Sequence, residues 1–240
     1  MPMSTLILLP GLMCDASVWA PQVAALSPQV HCQVPDYGLR DSLTAMAHQV
    51  LDEALAPRFA LAGHSMGGRV ALEVLRLAPQ RVTHLALLDT GTHPRAPGEA
   101  GDKERAGRLA LLALAQAQGM RTMGQQWLRG MVHPAVLDTP LYESMLAMVA
   151  RSSPAQFAAQ IEALLGRPDA APLLPGIACP TLVLTGRQDA WSPPEQHTQM
   201  SQAITGAQLC IVEDCGHMST LEQTQAVNAA LTAWLARPAA

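Results

Sequence analysis

Charge is scarce in this chain. Asp, Glu, Lys and Arg make up 14% of its 240 residues, and the net charge is −4 with a pI near 6.0. Such a balance offers no positive field to hold phosphate backbones or an acidic membrane surface, so neither nucleic acid nor membrane is an expected partner. Long apolar runs are also missing. Arg, Asp, Glu, Pro or Gln interrupts every Ala/Leu-rich stretch before the roughly 20 apolar residues that span a bilayer. Near the N-terminus the run Leu6 to Leu9 is too short for a secretory signal core, and no basic residue precedes it. The five cysteines, Cys14, Cys32, Cys179, Cys210 and Cys215, are odd in number and contain no C-x-x-C pair. That pattern suits a reducing compartment, the cytoplasm, better than a disulfide framework. No histidine and carboxylate set has metal-ligand spacing and no Gly-rich dinucleotide fingerprint appears, so no cofactor is implied.

What is present is apolar: 49% of the residues are hydrophobic, enough for one sizeable core. Thr5 to Leu9 reads as a buried strand closed by Pro10-Gly11, and Asp15 to Ser17 can cap a helix through Leu26. Val30 to Val34 is the next strand, followed by a helix from Asp41 or Ser42 through Leu55. Phe59 to Gly63 and His84 to Leu88 are two further strands, with a helix from Met66 to Leu77 between them. From about Thr92 to Pro175 the alternation stops. Glu104 to Gln118, Thr122 to Met131, a segment around Tyr142 to Arg151, and Pro154 to Leu165 have helical composition and no convincing strand among them. Alternation resumes with a strand over Thr181 to Thr185, a helix over Pro194 to Ser201, a strand over Leu209 to Val212 and a last helix over Thr220 to Ala236. No internal repeat is visible. The expectation is an α/β fold: a mostly parallel sheet of about six strands, covered by helices on both faces. Residues 1–91 and 176–240 would form the core, and residues 92–175 a helical lid inserted into it.

The motifs fall at strand ends, where functional loops of such sheets gather. Gly63-His64-Ser65-Met66-Gly67-Gly68 follows an apolar strand and opens a helix, the context that gives a G-x-S-x-G match meaning. Taken in isolation the pentapeptide is as readily a flexible connection. Ser65 is the candidate nucleophile. An oxyanion formed by its attack needs preset donors. Candidates are the backbone N–H groups of Met66, at a helix N-terminus, and of Leu12, after Pro10-Gly11; alone, Leu-Pro-Gly is merely a strand terminator. Serine needs a base, and of eight histidines only His217 follows a late strand in a suitable loop. His64 adjoins Ser65 but should point away from it, into packing or a pocket wall. His31, His48, His84, His93, His133 and His197 read as surface or packing residues. Asp189, after the strand at Thr181, is the acid expected to orient His217. Asp89, at the end of the fourth strand, is its rival, and Asp214 reads as a turn former. Cys14, with no cationic neighbour in sequence, reads as a small buried hydrophobe.

Together LLPGLMCDASVW, GHSMGG, LALLDT, CPTLVLTGRQDAWSP and VEDCGHMSTLE resemble the landmarks of the α/β-hydrolase superfamily in their usual order, over nearly the whole chain. The resemblance implies Ser65 as nucleophile, Asp189 as acid, His217 as base, and Leu12 with Met66 as oxyanion donors. It departs from the common pattern in starting without an N-terminal hairpin, in Pro10-Gly11 where His-Gly is usual, and in the second strand end, Pro35 to Ser42. The function implied is serine hydrolysis of a carboxylic ester, thioester or lactone through an acyl-Ser65 intermediate, as in small lidded carboxylesterases, with a small acyl compound as partner. A carbon–carbon bond hydrolase or perhydrolase on the same residues, or a non-catalytic receptor on a hydrolase shell, are the alternatives. Leu111, Leu112, Met120, Met123, Trp127, Met131, Leu141, Met145 and Met148 are candidates for an acyl pocket, though most are as readily lid packing. Arg121, Arg129, Arg151 and Arg167 read as solvated lid charges.

Overall fold

A computed structural model describes residues 4–239; the first three residues, on which the reading of the N-terminus partly rests, lie outside them. Among the described residues the strands are β1 (Thr5–Leu9), β2 (His31–Gln33), β3 (Phe59–His64), β4 (Val82–Leu88), β5 (Thr181–Gly186) and β6 (Gln208–Val212). The helices are α1 (Ala20–Leu26), α2 (Leu43–Glu53), α3 (Met66–Leu77), α4 (Gly98–Gln118), α5 (Met120–Leu128), α6 (Pro140–Arg151), α7 (Pro154–Leu165), α8 (Pro194–Ala203), α9 (Ser219–Glu222) and α10 (Thr224–Leu235). The strands form one parallel sheet in the order β2-β1-β3-β4-β5-β6.

Strand burial follows from this order. The inner strands β1, β3 and β5 are buried along their whole length, which is why they appear in the sequence as unbroken small or apolar runs rather than as alternation. Leu6, Leu8 and Leu9 are fully buried, each contributing about 2 kcal/mol of hydrophobic stabilisation before entropy is counted. The edge strands β2 and β6 keep exposed positions. The chain leaves β1 toward one edge and, from β2 on, moves toward the other. Right-handed crossovers therefore put α1 on one face and α2, α3 and α8 on the opposite one. In accord with this, α1 packs on α10, and α2 packs on α3. Trp19 and Trp234 are both fully buried in this core.

Helix starts have local causes. Ser42 accepts the N–H of Ala45 at the head of α2. Thr139 and Ser153 do the same for α6 and α7, each followed by a proline whose missing N–H costs nothing in the first turn. The Thr139 cap starts α6 two residues before Tyr142. α4 begins at Gly98 rather than Glu104: extended Pro97 precedes it, and Glu99 faces the positive end of the helix. The expected single C-terminal helix is divided at Gln223, whose backbone (φ −129, ψ 55) leaves the helical region. Glu222, just before the break, accepts the N–H groups of Gly216, Met218 and His133, which ties the first turn to a loop rather than to α10. No helix among the described residues is long and apolar enough to cross a membrane.

The order of the sheet also sets where a site can form. Neighbouring strands end level, with Leu9 beside Gly63, His64 beside Leu88, Leu88 beside Leu184 and Gly186 beside Val212. The loops that follow therefore open on one rim, and the chain reverses direction between β1 and β3, the usual place for a ligand crevice. Close approach there depends on glycine. A Cβ on Gly63 would collide with the carbonyl of Gly67, and one on Gly67 with the carbonyl of Leu9. Neither neighbour is a side chain that can swing away. Gly67→Ala is accordingly expected to lose about 3 kcal/mol or more of stability, whereas Gly107→Ala, where a Cβ meets open space, should leave the urea midpoint unchanged or raised.

Candidate active site

Ser65 stands between β3 and α3 with φ 54 and ψ −116, a backbone shape that L-residues rarely adopt. Three bonds hold it there. Its N–H donates to Leu88 O at 2.9 Å, extending the β3–β4 ladder, and its carbonyl accepts from Gly68 N at 3.0 Å and from Thr90 Oγ1 at 2.7 Å. Thr90 is itself fixed, because its N–H donates to Nε2 of buried His197 at 3.1 Å. The strain thus presents the hydroxyl above the sheet without letting the turn relax.

The structure brings Ser65, His217 and Asp189 together from three separate strand ends. His217 Nε2 lies 2.8 Å from Ser65 Oγ, and Nδ1 lies 2.8 Å from Asp189 Oδ2. The other oxygen of Asp189 accepts the N–H groups of Trp191 and Ser192, each at 2.9 Å. These partners assign the tautomer: Nδ1 donates to the carboxylate, and Nε2 is left to accept from the hydroxyl. Burial alone would raise the Asp189 carboxyl, but the facing imidazole and the two N–H donors outweigh it and hold the group below its ordinary value. Burial would likewise lower His217, yet the Asp189 charge and hydrogen bond leave it raised above 6.5.

The His217 loop is braced on several sides. Its backbone N–H donates to Met131 O at 2.6 Å, and its carbonyl accepts from His64 Nε2 at 2.8 Å. Gln188 spans the loop, donating its N–H to Cys215 O at 2.8 Å and accepting Cys215 N at 2.9 Å through its side chain. Asp214, with φ 50, makes the turn before it. His64 therefore points away from Ser65 and supports the backbone of His217. Asp89 does not reach the imidazole of His217. It lies 3.6 Å from His64 Nε2, bonds Ser219 Oγ, and accepts Gly186 N at 3.2 Å. Burial, then the nearby Asp189 charge, pushes the Asp89 carboxyl well up, while burial pushes His64 down to about 4. Burial thus disfavours the charged form of both partners of this close pair.

Leu12 and Met66 line a cavity of about 760 Å³ together with Ser65 and His217. Their N–H groups donate to no protein acceptor among the described residues. The Leu12 loop is anchored by Gln160 of α7, whose Oε1 accepts Met13 N at 2.8 Å while Met13 takes φ 57. Gln160 escaped the sequence reading, although a single glutamine on the apolar face of α7 was its signal. Of the candidate pocket residues, Leu111, Trp127 and Met131 line the cavity, while Met120, Met123 and Met145 are buried away from it. Cys14 is partly buried, and burial first, then Asp15, pushes its thiol up to about 12.

One expectation is corrected here. Arg167 is not a solvated charge: its side chain is 10% exposed and forks onto Glu104 at 2.7 and 2.8 Å, because α4 and α7 pack face to face across it. His93, exposed as expected, also lines the cavity. By contrast Arg121, Arg129 and Arg151 lie in solvent beside Glu143, Asp138 and Asp15. His31 and His48 are exposed, and His84 is buried edge-on against Trp234. His133 accepts Ala135 N, capping the turn at Pro134.

Residues 6–230 match the family model described as Alpha/beta hydrolase family. The chain is 26% identical to the 2-hydroxy-6-oxononadienedioate/2-hydroxy-6-oxononatrienedioate hydrolase of Escherichia coli K12, over 98% of this chain and 88% of that protein. Among solved structures, a thermophilic esterase from Thermogutta terrifontis superposes with a TM-score of 0.86 at 26% identity, covering 98% of this chain and 90% of the other. The enol-lactonase from Burkholderia xenovorans LB400 shares the fold with a TM-score of 0.83 at 24% identity, over 99% and 93% of the two chains.

Two outcomes follow from the electrostatics. Because only neutral imidazole accepts a proton, kcat/KM for an ester should rise with pH through a midpoint above 6.5, the unshifted value from which His217 is raised. Asp189→Asn removes the charge that does most to raise it, so the midpoint should move down and the rate should fall by about 10⁴. Asp89→Asn, which touches His64 and Ser219 instead, should cost far less. Steady-state rates of both variants across pH check this ranking.

Proposed function

Because the chain belongs to the alpha/beta hydrolase family, we propose that it is a serine hydrolase acting on a small to medium carboxylic ester, thioester or lactone. The observation that carries this reading is the unbroken chain from Ser65 Oγ through both nitrogens of His217 to Asp189, with 2.8 Å at each link. In the proposed mechanism the Ser65 hydroxyl attacks the acyl carbon while His217 Nε2 takes its proton. The oxyanion falls to the N–H groups of Leu12 and Met66, and Asp189 stabilises the imidazolium. His217 then protonates the leaving alkoxide or thiolate. Water, deprotonated by the same nitrogen, releases the acid and restores Ser65. Asp89 bonds Ser219 and Gly186 rather than His217, which fits this role for Asp189. Similarity to an esterase over nearly the full chain supports the ester reading.

Residues 92–175 act in this proposal as a helical lid, which supplies Leu111, Trp127, Met131 and Phe157 to the apolar wall of the cavity. The free cysteines suit the cytoplasm.

A second reading has its own support. The compound in the name of the Escherichia coli relative carries ketone and enol groups and no ester, so its hydrolysis breaks a carbon–carbon bond. The same residues serve that chemistry if the leaving group is a stabilised carbanion. Product analysis separates the two.

The hydrolase reading predicts that a fluorophosphonate probe labels the protein on Ser65 and that p-nitrophenyl acetate is turned over. Ser65→Ala should remove the label entirely and lower turnover by about 10⁶. A folded protein whose turnover is the same with and without the Ser65 hydroxyl would instead be a receptor built on a hydrolase shell.

A further inference from the structure

The cavity beside Ser65 carries more positive charge than its own acids neutralise. Arg69, Lys103, Arg108 and Arg167 line it, against Glu104 and Asp89. Even with both acids charged, these four cations outnumber them two to one. Glu104 is one carboxylate shared by two guanidiniums: Arg167 donates to both of its oxygens, and Arg108 Nε donates to Oε1 at 3.0 Å. Arg167 is filled further by the carbonyls of Leu164 and His93. Arg69 has no carboxylate partner among the described residues. Its one hydrogen bond runs from Nη1 to the carbonyl of His93 at 2.9 Å, and its Nη2 lies beside Gly91. Burial, followed by repulsion from Arg167 and Arg108, lowers Arg69 to about 9, so the free protein holds a charge here at a cost.

Position gives this excess a purpose. Arg69 lies four residues beyond Ser65 on α3, one helical turn and about 6 Å along the axis on the same face. A guanidinium anchored by one nitrogen still offers its remaining N–H edge to a planar anion. Apolar Leu12, Met66 and Leu111 line the same cavity, which suits a short hydrocarbon spacer.

We infer that this wall is a carboxylate subsite: the favoured acyl substrates carry a free carboxylate several carbons from the scissile carbonyl, held by Arg69 with Arg108 behind it. The inference rests on the hydrolase reading above and narrows it to half-esters, thioesters or lactones of dicarboxylic acids. Glu104 holds Arg108 and Arg167 in place and limits the excess of charge.

The test compares two p-nitrophenyl esters of equal carbon number, the monoester of adipic acid and the hexanoate, on the full chain. The charged ester should have a kcat/KM higher by about tenfold or more, the size that one charge-assisted hydrogen bond reaches. That preference should shrink with added salt and collapse in Arg69→Gln. Equal or better turnover of the hexanoate would overturn the subsite and leave the hydrolase reading intact. No turnover of either ester, with no labelling of Ser65, would overturn the hydrolase reading; calorimetry with adipate then decides the subsite, binding supporting it and no binding ending it. Where Arg69→Gln does not fold, inhibition of wild-type hexanoate turnover replaces it. Adipate should compete more strongly than inorganic phosphate, and the reverse order would contradict a carboxylate site.

Discussion

The pairing of His217 with Asp189 is the interaction on which the remainder of the site depends. Both groups are almost wholly withdrawn from water, and a carboxylate in such a place is seldom a net gain in stability once desolvation is counted. Its value lies in direction. The carboxylate is pinned by two backbone N–H groups, the imidazole is pinned by the carboxylate, and only one lone pair remains, aimed at Ser65. The nearest alternative acid, Asp89, is engaged by Ser219 and by the N–H of Gly186, and burial disfavours its charged form. A site with two charged carboxylates would leave the imidazole divided between them.

The segment between β4 and β5 is bound into this arrangement rather than resting on top of it. Met131 O receives the N–H of His217, and Gln160 receives the N–H of Met13 beside Leu12. The N–H of His133 donates to Glu222, which also holds Gly216 and Met218. Both loops that flank Ser65 therefore take part of their shape from the inserted helices. Any motion that lifts those helices to admit a ligand must break these bonds or carry the loops with it. The shape of the cavity and the geometry around Ser65 are coupled through a few backbone N–H groups.

Most of the sheet was legible because its strands are short, apolar and closed by Pro, Gly or Asp, so their period and punctuation agree. Ser65 was legible for the same reason: a strand, a Gly-rich turn and a helix follow one another without a gap. The convergence of Asp189 and His217 was readable as chain order, since each follows a strand. What escaped are features decided by distant partners. The break at Gln223 depends on Glu222 reaching back to the His217 loop, and the role of Gln160 depends on α7 packing beside β1. The cationic wall was hidden because Arg69, Arg108 and Arg167 lie on three different elements, and nothing in their spacing tells a buried arginine from a solvated one. His64 and Asp89 flank the site as supports whose charged forms burial disfavours, a balance visible only once solvent exposure is known.

The most direct measurement is low-temperature proton NMR of the free protein in the region far downfield of the amides. A resonance from the His217 Nδ1 proton should appear there, respond to pH as the imidazole titrates, and vanish in His217→Gln. A folded protein with no such resonance, or one that persists without the imidazole, would contradict the claim that Asp189 holds His217 for Ser65.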